Sequence, residues 1–239
     1  MTNRAATVLS QIALACERVG RLPSSVSVVI AIKGRSIPDI VSVVEQFAVS
    51  GIYAEKLPSL GENYLKEYLH RQCSESGAWA SLQQCPFHFI GPLQSNKLRG
   101  IVQNFSVVES VASEKHLRLI SVEAARIKKV IGVYLQVNIS ADEAKQGFTS
   151  EEVVKVVPMF KEMPFLCLQG LMTITRHYPT PEEVRPDYRA LNSLRNKMVE
   201  LGLIAPNSIY LSMGMSQDFT IAIEEGADVV RLGTALFED

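Results

Sequence analysis

VVRLGTALF, residues 229–237, stands at the end of the chain and decides how the rest is read. Val229, Val230 and Leu232 make a short buried strand that carries Arg231 and ends in Gly233-Thr234. Glycine at a strand end lets the backbone approach a ligand closely, and the N–H groups that follow can point at an anion. LSMGMSQDF, residues 211–219, comes just before it and supplies a second strand end with a turn from Ser212 to Ser216. In barrels of eight strands and eight helices, phosphate is often held by the loops after strands seven and eight. Closure of such a barrel brings the last strand beside the first. The first strand, within VSVVIAIK at residues 26–33, runs into Lys33. A lysine, an arginine and a phosphate cradle are therefore expected around one small cavity.

Size and composition agree with one large domain. The chain has 239 residues, and barrels of this class commonly use about 250. A hydrophobic content of 47% with 21% charged residues is enough for a full core. The formal net charge of −1 offers no basic surface for nucleic acid. No apolar run approaches the roughly 20 residues of a membrane span, and the N-terminus lacks the apolar core of a signal peptide. The four cysteines, Cys16, Cys73, Cys85 and Cys167, are scattered without metal-ligand or redox spacing. A reduced cytoplasmic setting and no metal site follow as expectations.

Taken in order, the chain alternates strand and helix patterns. Residues 2–19 have helical spacing, with Val8, Ile12, Ala15 and Val19 on one stripe, and are expected to pack across the barrel bottom. Residues 26–32 are β-branched and apolar, as a parallel strand covered on both faces requires. Pro38-Asp39 opens a helix along Ile40, Val43, Val44 and Phe47. The pattern blurs over residues 49–60, where a short strand is expected but is interrupted by Gly51, Lys56 and Pro58. Residues 61–71 read as a turn into an amphipathic helix with Leu65, Tyr68 and Leu69 inward. Strands follow at 87–90, 106–110, 133–139, 166–174 and 208–211. Between them lie helices capped by Ser113, started by Ser150 with Glu151 and Glu152, and running over residues 187–201. Lys128-Lys129 suits a negative helix end, and Ser216 is expected to cap a helix through Glu225, with Asp218 in its first turn and Gly226 as the stop. Eight such repeats without a linker favour a single-domain (β/α)8 TIM barrel over residues 1–239, with an additional N-terminal helix.

Several residues can carry chemistry, each with a plainer reading beside it. A lysine ending an apolar strand is partly desolvated, which favours a nucleophilic amine able to form a Schiff base. The same lysine can also snorkel into water from the barrel mouth. Arg231 fits either a ligand contact or a structural ion pair. Gly233-Thr234 and the Ser212 to Ser216 turn fit phosphate, and fit ordinary tight turns. Two such turns after adjacent strands are more specific than either, because phosphate needs several convergent donors. Asn63 can reach a ligand from the second strand end or cap the following helix with Glu62. Asn96 and Lys97 read as capping and a solvated lysine, Asn138 as a contact at a central strand end, and His88 as a satisfied structural histidine. His70, His116 and His177 lack metal-ligand spacing, and neither a Ser-His-Asp order nor a carboxylate pair rises above chance.

Taken together, these stretches resemble the pyridoxal phosphate homeostasis proteins. The resemblance is carried by the strand ending at Lys33, GENYLKE at 61–67, HFIGPLQSNK at 88–97, LQVNIS with KQGF within 135–148, GLMTI at 170–174, LSMGMSQDF and VVRLGTALF. These run along the whole chain in order. The family is similar to the barrel half of alanine racemase and of group IV decarboxylases. The resemblance implies pyridoxal 5′-phosphate (PLP) as cofactor, with Lys33 as its Schiff-base lysine and Arg231 facing the pyridine nitrogen. It also implies Gly233 and Thr234, with Ser212 or Ser216, as the phosphate cradle, and Asn63 near the ring. Two departures alter the pocket rim. Ile32 precedes Lys33 where the family usually has serine, with Gly34-Arg35-Ser36 where a Thr-Lys-Pro-like run follows. Residues 49–61 form a longer segment, with Leu60 where phenylalanine commonly precedes Gly-Glu-Asn.

The function so implied is intracellular PLP homeostasis, buffering or delivery without strong turnover, in a monomer with no catalytic residue. PLP-dependent apo-enzymes are its expected partners, with neither nucleic acid nor membrane. An arginine on the pyridine nitrogen weakens the ring as an electron sink, and the chain ends without the second domain that closes a racemase pocket. A PLP-dependent amino-acid racemase is the alternative; it needs a second base opposite Lys33, and the sequence offers none. A sugar-phosphate enzyme without PLP would leave Lys33 beside Arg231 unexplained.

Overall fold

A computed structural model describes residues 4–50, 57–73, 77–142 and 144–237. The strands are β1 (Ser27–Ala31), β2 (Ser59–Glu62), β3 (Phe87–Phe89), β4 (Val107–Val111), β5 (Ile131–Gln136), β6 (Leu166–Met172), β7 (Tyr210–Ser212) and β8 (Val229–Leu232). They pair in chain order into a closed parallel barrel, with β8 against β1 in the register Val29 to Arg231 and Ile30 to Leu232. Around it stand α1 (Arg4–Arg18), α2 (Ile37–Ala48), α3 (Leu65–Gln72), α4 (Gly77–Leu82), α5 (Leu98–Asn104), α6 (Glu114–Ile127), α7 (Ser150–Val156), α8 (Arg185–Glu200), α9 (Phe219–Glu224) and α10 (Thr234–Phe237). This is the (β/α)8 barrel that the alternating pattern predicts.

Strand alternation divides the core into two. Val28, Ile30 and Ile32 face outward into the large cluster shared with the helices, including Ile40, Phe47 and Ile12. Val29, Val107, Tyr134, Met172 and Val229 form a separate cluster inside the barrel, with Ile90 packed against it. Two residues further along the same strand faces come Ala31, Glu109 and Arg231, which begin the next interior layer. That layer is polar, and it lies toward the C-terminal strand ends.

The helix ends follow their local chemistry. Ser36 and Ser113 accept the N–H of Asp39 and His116 as N-caps, and Thr149 with Glu152 makes a reciprocal capping box. Lys129 departs from its expected role. Its ammonium donates to the carbonyls of Val102, Gln103 and Phe105, so it closes α5 rather than its own helix.

Three further expectations change. α1 does not cross the barrel bottom; it packs on the flank against α9, α10 and α2. Arg18 pairs with Glu224 at 2.8 Å and Arg21 donates to the Ala227 carbonyl at 2.7 Å, tying it there. Among the described residues α10 spans Thr234–Phe237, and α1 packs beside it on that side of the barrel. Gly61 and Glu62 belong to β2, not to a turn, while Leu69 is exposed and Arg71 is buried in its place. Ser216 does not cap α9, whose N-cap is Asp218. The strand expected within 49–60 is β2 at its later end; residues 51–56 lie outside the described residues.

Candidate functional site

At the C-terminal strand ends, a cavity of about 360 Å³ is lined by Ala31, Asn63, Ile90, Ile174, Ser216, Arg231, Gly233 and Thr234, with Met215, Gln217 and Asp218 completing the wall. Its volume falls within the range of small-ligand pockets. A larger cavity, about 670 Å³, opens at the opposite ends of the strands and is lined by Ser27, Ser59, His88, Tyr134, Gln169 and Asp228 among others. Only the first gathers a buried cation and converging N–H groups, and it sits at the face where barrels of this kind place their sites.

The cradle is built by the two final turns. After β7, Gly214 takes φ 93°, and a Cβ there would stand 2.5 Å from the Ala222 Cβ. Glycine is therefore obligatory for the chain to bend into Met215-Ser216. Ser216 Oγ accepts the N–H of Gly233 at 3.2 Å and of Ala235 at 3.1 Å, which draws both turns to one point. Gly233 differs from Gly214. A Cβ on it would meet only Ala31 Cβ at 3.5 Å and the Ala31 carbonyl at 3.7 Å, ordinary contacts. Protein packing does not demand glycine at 233, so the space it leaves is available to a ligand. The Gly233 and Ala235 N–H groups are taken by Ser216 Oγ, which leaves the Ser216 and Thr234 hydroxyls beside that space as donors suited to a phosphate.

Arg231 forms the cationic wall and is 6% exposed. Nη1 donates to Ser212 Oγ and Nη2 to the Thr173 carbonyl, both at 2.7 Å. Ser212 donates onward to Glu109 Oε2 at 2.6 Å, and Glu109 Oε1 lies 2.6 Å from His88 Nδ1. Complete burial alone would raise the Glu109 carboxyl. The hydrogen bond and charge of His88, the Arg231 guanidinium and the Ser212 hydroxyl outweigh burial and hold it below the usual carboxylate range. Arg231 thus has an anionic counterpart one hydroxyl away. Among the described residues it has no direct carboxylate partner, and two of its five N–H donors are bonded.

The residues singled out from the sequence divide as follows. Asn63, Ser216, Arg231, Gly233 and Thr234 line one cavity. Ser212 is fully buried beneath Arg231 and supports that side chain rather than the cradle. Lys33 is not among the lining residues; it follows the lining residue Ala31 by two positions, which brings its turn next to the cavity, and its ammonium lies 5.5 Å from the Tyr64 ring centroid. It is exposed, not partly desolvated, because the chain has left the strand by that point. Asn138 turns to its own loop, donating to the Asp142 carbonyl at 2.9 Å and accepting the Asp142 N–H. His88 is satisfied through Glu109.

Glu109 and Arg71 were not evident from the sequence, and Glu62 was read there only as a helix cap; its Oε1 accepts the Asn63 and Tyr64 N–H groups. Glu109 did leave a signal, a carboxylate in the middle of the apolar run VVESV. Arg71 left none, since an arginine in an amphipathic helix reads as its wet face.

Comparison with known proteins identifies the family. The model of the alanine racemase N-terminal domain family matches residues 47–239. A pyridoxal phosphate homeostasis protein of Pseudomonas aeruginosa is 36% identical over 234 residues, covering 97% of this chain and 92% of that protein. One of Aquifex aeolicus is 34% identical over 236 residues, covering 98% and 96%. Among solved structures, PipY of Synechococcus elongatus with PLP bound superposes with a TM-score of 0.72 at 25% identity, over 95% of this chain and 99% of that one. The chain belongs to the alanine racemase N-terminal domain family and, within it, to the pyridoxal phosphate homeostasis proteins.

Proposed function

We propose that this protein binds pyridoxal 5′-phosphate and serves intracellular PLP homeostasis by holding and releasing the cofactor, without strong turnover. The carrying observation is the convergence of Arg231, Ser216, Gly233 and Thr234 on one cavity with the Lys33 turn next to it. When bound, PLP supplies an electrophilic aldehyde and a pyridine ring that can draw electrons from a substrate carbon. The chain's own residues divide the work of holding it. The Ser216 and Thr234 hydroxyls would donate to the phosphate in the space left at Gly233, Asn63 would border the ring, and Lys33 would offer its amine to the aldehyde.

Arg231 argues for retention over catalysis. A guanidinium beside the ring nitrogen donates an N–H and, being always charged, opposes a proton there, which weakens the ring as an electron sink. The titratable side chains lining the cavity among the described residues are Asp218 and Arg231. Asp218 Oδ1 already accepts the Met215 N–H at 2.7 Å, so it serves the turn. No lining group stands ready as a second base for a racemase.

The same reading takes the chain as a single-domain monomer that passes PLP to PLP-dependent apo-enzymes in the cytoplasm. Its four cysteines are free thiols, which suits a reducing compartment. The test is direct. Added PLP should give a visible absorbance band, and borohydride reduction with peptide mapping should find a pyridoxyl group on Lys33, lost in Lys33→Ala. No adduct anywhere, or robust amino-acid racemisation that Lys33→Ala abolishes, would overturn the proposal.

A further inference from the structure

The turn that carries Lys33 is fastened from behind by one side chain. Arg71, near the end of α3, is 8% exposed. Its Nη2 donates to the Ile32 carbonyl at 3.0 Å and to the Arg35 carbonyl at 3.3 Å, the two residues that flank Lys33-Gly34. Its Nη1 donates to the carboxylate of Glu62, the last residue of β2. Glu67, one helical turn earlier on α3, takes the Gly34 N–H at 3.1 Å. The other Glu62 oxygen accepts the N–H groups of Asn63 at 2.7 Å and Tyr64 at 3.0 Å. One ion pair therefore joins two strand-end turns. The first carries Lys33; the second carries Asn63 of the cavity wall and the Tyr64 ring beneath the Lys33 ammonium.

The chemistry explains why an arginine stands there. Gly34 takes φ 67°, and nothing lies within 4 Å of where its Cβ would be, so the glycine answers a backbone conformation and not crowding. A turn centred on glycine is intrinsically loose and needs outside bonds to hold one shape. A planar guanidinium reaches a carboxylate with one edge and carbonyls with the other; an ammonium on a flexible stem is a point charge and does so poorly.

We propose that Arg71 is the positioning residue for the Lys33 amine, fixing the turn over residues 32–35 to the Glu62 end of β2. This rests on the reading of Lys33 as the attachment point. Attachment is a condensation in which the amine nitrogen bonds the aldehyde carbon, C=N replaces C=O, and one water leaves. Loosening the turn lowers the effective concentration of the amine at the aldehyde and leaves the phosphate donors untouched.

The experiment titrates wild type, Arg71→Met, Arg71→Lys and Glu67→Ala with PLP and, in parallel, with pyridoxine 5′-phosphate. The second ligand has the same ring and phosphate but an alcohol in place of the aldehyde. Arg71→Met should weaken PLP binding about tenfold or more and pyridoxine 5′-phosphate less than about twofold, with Arg71→Lys recovering part of the loss. Glu67→Ala removes the Gly34 acceptor and a 3.4 Å ion pair with Arg71 Nη2 from a partly exposed side chain, and it keeps the test alive if Arg71→Met does not fold. It should weaken PLP selectively, by about threefold. Equal losses for both ligands, or no loss of PLP binding in a folded variant, overturn the inference. A wild-type protein that gives no borohydride-trapped adduct on Lys33 overturns the functional reading as well, whereas a wild-type adduct with an unchanged ligand ratio in the variants sinks this inference alone.

Discussion

Arg71 and Arg231 are both buried, and they are held in opposite ways. Arg71 meets the Glu62 carboxylate directly, and its other edge is shared by backbone carbonyls and the Glu67 carboxylate. Arg231 meets a hydroxyl and a carbonyl, and the carboxylate of Glu109 reaches it only through Ser212. A guanidinium neutralised at contact is committed to the fold. One kept a hydroxyl away from its counter-charge stays cationic with donors to spare, which is what a wall facing a ligand nitrogen requires. On the proposed reading, one residue type, similarly buried, divides into fastening and binding according to whether a carboxylate touches it directly.

The sharpest way to break this comparison is stability. Arg71→Met strands the Glu62 carboxylate in a buried site, and removing one partner of a buried pair typically destabilises by about 3–5 kcal/mol. Arg231→Met strands only the Ser212 hydroxyl and the Thr173 carbonyl directly, so about 1–3 kcal/mol is expected. Urea unfolding of the two variants measures both, and a larger loss for Arg231→Met would contradict the division of roles. Ligand binding should rank them differently: Arg231→Met should weaken pyridoxine 5′-phosphate and PLP alike, whereas Arg71→Met should spare the former.

Acidity separates the two carboxylates by sign. Burial pushes the Glu62 carboxyl up, opposed by the Tyr64 N–H, the Arg71 charge and the Asn63 N–H. Glu109 is held down. A lowered folded-state pKa means that stability from Glu109 is present above the unfolded value and lost as pH falls through the folded one. A raised one means that acid favours the folded state at Glu62. Unfolding followed from neutral pH down to about pH 3 should therefore show the penalty of Glu62→Gln growing above the ordinary carboxylate value and that of Glu109→Gln shrinking only below it. Parallel trends would show that the two sites do not differ in the stated way.

The smallest effect is expected at the far end of the Lys33 turn. Ser36→Ala removes the N-cap of α2, worth about 1 kcal/mol, and leaves the Arg71 bonds to residues 32 and 35 in place. Stability should fall by that amount with PLP binding unchanged; a selective loss of PLP binding would move the fastening of the turn from Arg71 to the helix cap.

How far the sequence could be read depended on the kind of signal each residue left. The interior strands announced themselves because parallel strands covered on both faces are continuously apolar, as in residues 27–31 and 131–135. β2 did not, since its four residues Ser59–Glu62 contain a glycine and a glutamate and read as a turn. Gly233 and Ser216 were legible as a donor-rich pair of turns. Ser212 was legible only as part of the same motif, and its placement behind Arg231 follows from strand alternation around a closed sheet.

The amino-acid sequence by itself determined the barrel, its strand order and the gathering of Asn63, Ser216, Arg231, Gly233 and Thr234 at one end, because periodicity and strand-end turns are local properties of the chain. The tertiary structure alone decided what stands behind those residues. The chain from His88 through Glu109 and Ser212 to Arg231 links β3, β4, β7 and β8, with up to 103 residues between bonded partners. Arg71 reaches back 39 residues to the Ile32 carbonyl. A hydrogen bond across such separations exists only once the barrel has closed, so no pattern along the sequence can carry it.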